Sequence, residues 1–126
     1  VSARTTMTAY LRENTDLTVL DYAPENYAAI TDATIFVAPD MEIRWGGNID
    51  DLAFGAYEVD MVIVLVVPYE DYRRSEDALD GHIADALNAL DRINDVRAAR
   101  ATRVVYADKK HGYSINITML AQKESA

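Results

Sequence analysis

Val59-Asp60-Met61-Val62-Ile63-Val64-Leu65-Val66-Val67, running directly into Pro68, is the stretch on which the fold turns. Its entry alternates, with Tyr57 and Val59 on one side and Glu58 and Asp60 on the other, the period of a half-buried strand. From Met61 onward both sides are apolar. A strand that is wet on one face at its start and dry on both faces at its end needs a cover over its second half. That cover is either the chain's own helices or a neighbouring subunit. A charged amphipathic helix follows shortly after Pro68, so the centre of the chain reads as strand, loop and helix.

In that helix Ser75 is placed to act as cap, with Glu76 and Asp77 in the positive first turn. Leu79, Ile83, Ala86, Leu87, Leu90 and Ile93 form its apolar face. The span from Glu76 to Asn94 corresponds to about 28 Å of helix. Gly81 costs it about 1 kcal/mol relative to alanine.

Upstream, Ala3, Met7, Tyr10 and Leu11 make the stripe of a short helix from Ser2 to Glu13, with Asn14 as its stop. Leu17 to Tyr22 reads as a strand, and Pro24 begins a turn or a single helical turn through Ala29. Ala33 to Val37 is strand-like, Pro39-Asp40 interrupts it, and Met41, Ile43 and Trp45 resume the alternation against Glu42 and Arg44. A proline there indicates an edge, a bulge or two short strands. Gly46-Gly47-Asn48 breaks the run, and the polar excursion from Asn48 to Leu52 makes a hairpin with a sizeable loop.

Downstream, Thr102 to Tyr106 is a strand and Asp108-Lys109-Lys110-His111-Gly112 its turn. Tyr113, Ile115, Ile117 and Met119 then face one way, and Ser114, Asn116 and Thr118 the other. That uncharged polar row suits a partly exposed or interfacial sheet face. The order is α-β-β-β-α-β-β, with hairpins on each side of the long helix. The expected class is α+β, a mainly antiparallel mixed sheet packed by one long and one short helix.

The chain has 126 residues, enough for a single domain burying about two thirds of its unfolded surface. Its longest apolar run, Met61 to Val67, falls far short of the about 20 residues of a membrane span. Val1-Ser2-Ala3-Arg4-Thr5-Thr6 lacks the apolar core of a secretory signal, which points to a soluble protein used without export. There is no cysteine, so disulfides, thiolate chemistry and cysteine zinc sites are excluded. Twenty-one acidic against twelve basic residues give a net charge of −9, which disfavours nonspecific attraction to nucleic acid or anionic membranes.

Catalytic patterns are sparse. His82 lies on the helix flank beside Leu79 and Ala86, and His111 sits in a turn where solvation is the default. Neither has a catalytic context. Asp50-Asp51, Glu70-Asp71 and Glu76-Asp77 are sequence neighbours whose side chains diverge. Asp77, Asp80 and His82 lack metal-loop spacing. Gly46-Gly47 is no phosphate cradle. Arg92, Arg97, Arg100 and Arg103 form a modest basic cluster, and Lys109 and Lys110 suit either partner docking or a solvated turn. Eight tyrosines against two phenylalanines favour surfaces that become half dry; Tyr57, Tyr69 and Tyr72 flank the long strand. No catalytic, metal or cofactor residue is expected.

The layout resembles the tail terminator proteins of long-tailed, siphovirus-type bacteriophages. The resemblance is carried by the short N-terminal helix, Leu17-Thr18-Val19-Leu20-Asp21-Tyr22, the hairpin ending in Met61-Val62-Ile63-Val64-Leu65-Val66-Val67-Pro68, the long helix from Glu76, and the final Tyr113-Ser114-Ile115-Asn116-Ile117-Thr118-Met119. It covers nearly the whole chain and rests on element order and texture. It implies a noncatalytic virion protein forming a homo-hexameric ring, present in host cytoplasm during assembly. Such a ring caps the tail tube, ends its polymerisation and offers the surface to which the head attaches. The implied partners are further copies, the major tail tube protein and a head–tail connector or neck protein. DNA would pass through the lumen without specific binding, and no membrane is involved. Trp45 with Gly47 to Leu52, including Asn48, Asp50 and Asp51, and the Lys109, Lys110 and His111 hairpin tip are the expected contact surfaces. Tyr57, Tyr69, Tyr72 and the doubly apolar end of the long strand are the expected ring interface. The alternatives are another neck adaptor, or a ferredoxin-like ligand-binding or enzymatic domain.

Overall fold

The computed structural model describes residues 3–24, 30–44, 56–68, 72–93, 96–106 and 110–122. Their order is α1 (Ala3–Asn14), β1 (Thr18–Val19), β2 (Thr34–Arg44), β3 (Ala56–Val67), α2 (Tyr72–Asp91), β4 (Val96–Val105) and β5 (His111–Gln122). The fold is α+β, as the alternation in the sequence indicates, with two helices against a mixed, mostly antiparallel sheet. Among the described residues the strands lie in the order β1-β2-β3-β5-β4. Only β1 is parallel to its neighbour; β2, β3, β5 and β4 alternate in direction.

Both helices cover one face, the front. Val59, Met61 and Ile63 of β3, Ile115 and Ile117 of β5, and Ile35 and Val37 of β2 pack there against Met7 and Leu11 of α1 and Ala86 and Leu90 of α2. Burying side chains of this size stabilises by about 1.5–3 kcal/mol each. The helices are tied to each other where the Tyr10 hydroxyl donates to the Ala89 carbonyl.

Several boundaries move from where sequence alone puts them. α2 begins at Tyr72, a turn before Ser75, which is fully buried inside the helix and not at its cap. Glu76 meets Arg103 of β4 and does not serve the helix terminus. The far end closes at Asp91, where the Arg92 and Ile93 amides donate to the Ala89 and Leu90 carbonyls at 3.3 and 3.1 Å, the tighter spacing that ends many helices. Leu87, expected on the apolar face, is 36% exposed. It lies on one margin of the Leu79–Ala86–Leu90 stripe and Ala89 on the other, and α1 covers the Ala89 margin.

The Leu17–Tyr22 strand reduces to Thr18–Val19, flanked by Thr18 and Leu20 amide bonds to the Ala33 and Ile35 carbonyls. Leu20 then leaves the edge to pack behind the sheet, and Arg12 holds the Val19 carbonyl and the Asp21 carboxylate, each at 3.0 Å. β2 is continuous through its proline, which combines two of the three expected arrangements: the register shifts between Val37 and Met41, and β1 flanks only Thr34 and Ile35, so among the described residues Pro39 lies at a bulge on an edge. A residue without an N–H is tolerated where the ladder is already broken. β4 runs from Val96, well before Thr102, because the twelve-residue β5 offers it partners along its length.

Candidate functional site

The back of the sheet is divided. At one end Phe36 and Ala38 of β2 and Val64 and Val66 of β3 form a second small core with Ile30. Leu20, Ala23 and Tyr106 pack against it. The apolar second half of β3 is therefore covered by this chain's own connections. A parallel β1–β2 pair needs a crossover, and that crossover brings Leu20, Ala23 and Ile30 over the back face. The expectation that this strand end is a subunit interface is corrected: Val66 and Val67 are fully buried and Val64 is 4% exposed within one copy.

The other end of the same face is open. A concavity of about 770 Å³ spans four strands there, lined by Met41 and Glu42, Asp60 and Val62, Asn116 and Thr118, and Arg100 among others. The register explains the grouping. Glu42 stands beside Asp60 and Asp60 beside Thr118, while Val62 stands beside Asn116 and Asn116 beside Arg100. Side chains on neighbouring strands at one register share a face. The Thr118 hydroxyl donates to the Asp60 carboxylate at 2.6 Å. Carboxylates thus gather on the β2–β3 side, the Arg100 guanidinium stands on the β4 side, and the uncharged β5 row separates them. Such a surface offers acceptors, neutral hydroxyl and amide groups and the Arg100 guanidinium to a polar partner. Neither histidine reaches it, since His82 is on α2 in front of the sheet and His111 is in the β5 rung at the far end. Among the described residues no group of three metal-ligating side chains occurs, and no helix is long and apolar enough to cross a membrane.

At that far end, on the front face, Arg103 organises a second cluster. Its guanidinium donates to Glu76, to the Val104 carbonyl at 2.7 Å and to the Gly112 carbonyl at 3.3 Å. It also lies 2.9 Å from His111 Nδ1. Arginine has no acceptor to offer, so Nδ1 accepts and the imidazole proton sits on Nε2. This cluster pins α2 to the β4–β5 hairpin. The ion pair is partly solvated, with Arg103 25% and Glu76 47% exposed, so its net worth is that of a screened surface pair.

His111 is accordingly not a solvated turn residue. It is 2% exposed in β5, opposite Val67 and Val105, because the ladder takes in the last two residues of the expected turn. Lys110 is half-buried and donates to the Pro68 carbonyl at 3.1 Å, which ties the hairpin to the end of β3. Tyr57 lies in β3 opposite Ala121, and Tyr72 opens α2. Trp45, Asn48, Asp50, Asp51, Tyr69 and Lys109 lie outside the described residues.

The sequence marked Asn116 and Thr118 as one polar row and Arg100 as part of a basic cluster, but did not join them to Glu42 and Asp60. The available signal was the polar half of each alternation, Glu42 against Ile43, Asp60 against Val59 and Asn116 against Ile117. Only cross-strand register reveals that these polar halves share one face.

The molecule is thus an α+β protein with a helix-covered front and a half-open polar back. No protein-family model and no curated protein matches the chain.

Proposed function

We propose that this chain is a noncatalytic structural protein of a phage head–tail junction: a tail terminator whose hexameric ring caps the tail tube, ends its growth and receives the head. The observation that carries this reading is the open polar sheet face with an uncharged β5 row, Ser114, Asn116 and Thr118, at its centre. A wide, shallow, neutral-to-acidic surface is suited to protein contact or to a lumen that phosphates must pass without sticking. The net charge of −9 acts in the same sense. The partners under this reading are copies of itself, the tube protein and a connector or neck protein, and the location is the virion.

Against a ligand-binding or enzymatic domain stands the placement of Asp80 and His82. They lie on opposite flanks of α2 in front of the sheet, while the described concavity is broad and lies behind it.

Electron microscopy of the purified full chain is expected to reveal six-fold rings. Light scattering that finds only monomer at every concentration, alone and with tube protein, would refute the proposal. Deleting the gene from its phage separates the two junction roles. Tails of uncontrolled length mean terminator; normal tails that fail to join heads mean adaptor.

A further inference from the structure

The sheet ends in two unlike edges. On one side β4 is last in the strand order among the described residues. It is ten residues long and contains no proline, and its charged residues, Arg97, Arg100 and Arg103, are all basic. Arg103 is held by Glu76 and the backbone, whereas Arg100 is exposed. On the other side β1 reaches only Thr34 and Ile35 of β2. Beyond them no further strand flanks β2 among the described residues. This distal half of β2 carries Asp40, Glu42 and Arg44, with Glu42 on the back face and Ile43, 46% exposed, on the front. Edge strands carry amides and carbonyls that can recruit another strand. The register shifts between Val96 and Ala98 in β4 and between Val37 and Met41 in β2, so the regular stretches left for such pairing are residues 98–105 and 41–44.

We propose that the two edges pair between copies, with β4 of one copy lying beside the distal half of β2 in the next and continuing the sheet head to tail. The inference rests on the reading of the chain as a self-assembling ring protein and names the interface that reading requires. Three successive antiparallel pairings make β4 run opposite to β2. A rotation about an axis along the strands therefore brings the two edges together as an antiparallel pair. One register satisfies both faces. With Arg100 opposite Glu42, the unlike charges meet on the back face, where Arg100 neighbours Asn116 and Glu42 neighbours Asp60. The same register sets Ala99 opposite Ile43 and Ala101 opposite Met41, so small front-face side chains receive the exposed isoleucine. Because the two edges differ, the contact is heterologous, the kind that closes into a ring when its rotation permits.

The absence of native cysteine makes the test clean. Directly opposed residues in an antiparallel pair have Cβ atoms about 4.5–5.5 Å apart, within reach of a short bis-maleimide. A mixture of Glu42→Cys and Arg100→Cys single variants is expected to cross-link into covalent dimers. The double variant should give a ladder of higher species, and neither single variant should react with itself. In parallel, Arg100→Glu should raise the concentration needed for assembly by about fivefold, and adding Glu42→Arg to the same chain should restore it. Thermal melts of each variant verify that the exposed substitutions leave the fold intact. Rings without the mixed cross-link, self-reaction of either single variant, or assembly indifferent to both charge reversals would overturn edge pairing while leaving the ring reading standing. Monomer at every concentration overturns both.

Discussion

The two halves of β3 present the same back face, yet one is sealed and the other open. Toward its end, Val64 and Val66 lie in a small core with Phe36 and Ile30, flanked by Tyr106. Toward its start, Glu58, Asp60 and Val62 remain half-exposed beside Asn116 and Thr118. The difference follows the path of the chain. Among the described residues, Leu20, Ala23 and Ile30 of the β1–β2 crossover pack behind one end, and apolar residues stand on the back face where that cover exists. A sheet face becomes core or surface according to what the connections bring over it.

Substitutions at the sealed end should therefore unfold the protein, and those at the open end should not. The largest effect is expected at Gly112, whose added Cβ would lie 2.1 Å from the Leu65 carbonyl oxygen and 3.0 Å from the Tyr106 ring. Neither the β3 backbone nor its ladder can yield that space, so Gly112→Ala should cost about 4 kcal/mol or more, measured by denaturant unfolding. A melting point within a few degrees of the parent would show that the hairpin shifts freely.

Next comes Phe36→Ala, which empties the centre of the back core and should cost about 3–4 kcal/mol. A loss below about 1 kcal/mol would mean that the crossover covers nothing and that the contrast between the two ends is false.

Arg103→Ala removes the donors to Glu76, two carbonyls and His111 Nδ1. With solvent screening of the ion pair allowed for, about 1–2 kcal/mol is expected. Arg103→Lys should recover only part of it, since an ammonium cannot reproduce the planar fork. Full recovery in chemical denaturation would reduce the cluster to simple charge pairing.

At the open end, Thr118→Val deletes the hydroxyl that Asp60 accepts from and should cost less than about 1 kcal/mol. The same variant can still alter assembly, because the altered group lies on the proposed contact face. Unfolding and light scattering on one sample separate the two effects; a large stability loss would show the open end to be structural.

Much of this was legible in advance, for an identifiable reason. The strand and helix periods of Val59–Val67, Tyr113–Met119 and Leu79–Leu90 are local properties of a chain in which half the residues are apolar, and they determined the α+β class and the front core. Element ends were less legible. Ser75 looks like a cap because serine favours that position, but burial against the sheet outweighs a cap preference of about 1 kcal/mol. His111 looks like a turn residue because Gly112 follows it. In fact that glycine serves close backbone approach within the ladder.

Taken by itself, the sequence determined which elements form, that β3 is dry on both sides at its end, and that the chain carries excess negative charge. These follow from side-chain period and composition, which are local or additive. Only the tertiary structure decided what lies over that second dry side, which polar residues gather on the open face, and that His111 is buried in the ladder while Lys110 reaches the Pro68 carbonyl. Those outcomes depend on cross-strand register and on the path of a crossover, and both are fixed by contacts between segments far apart in the chain.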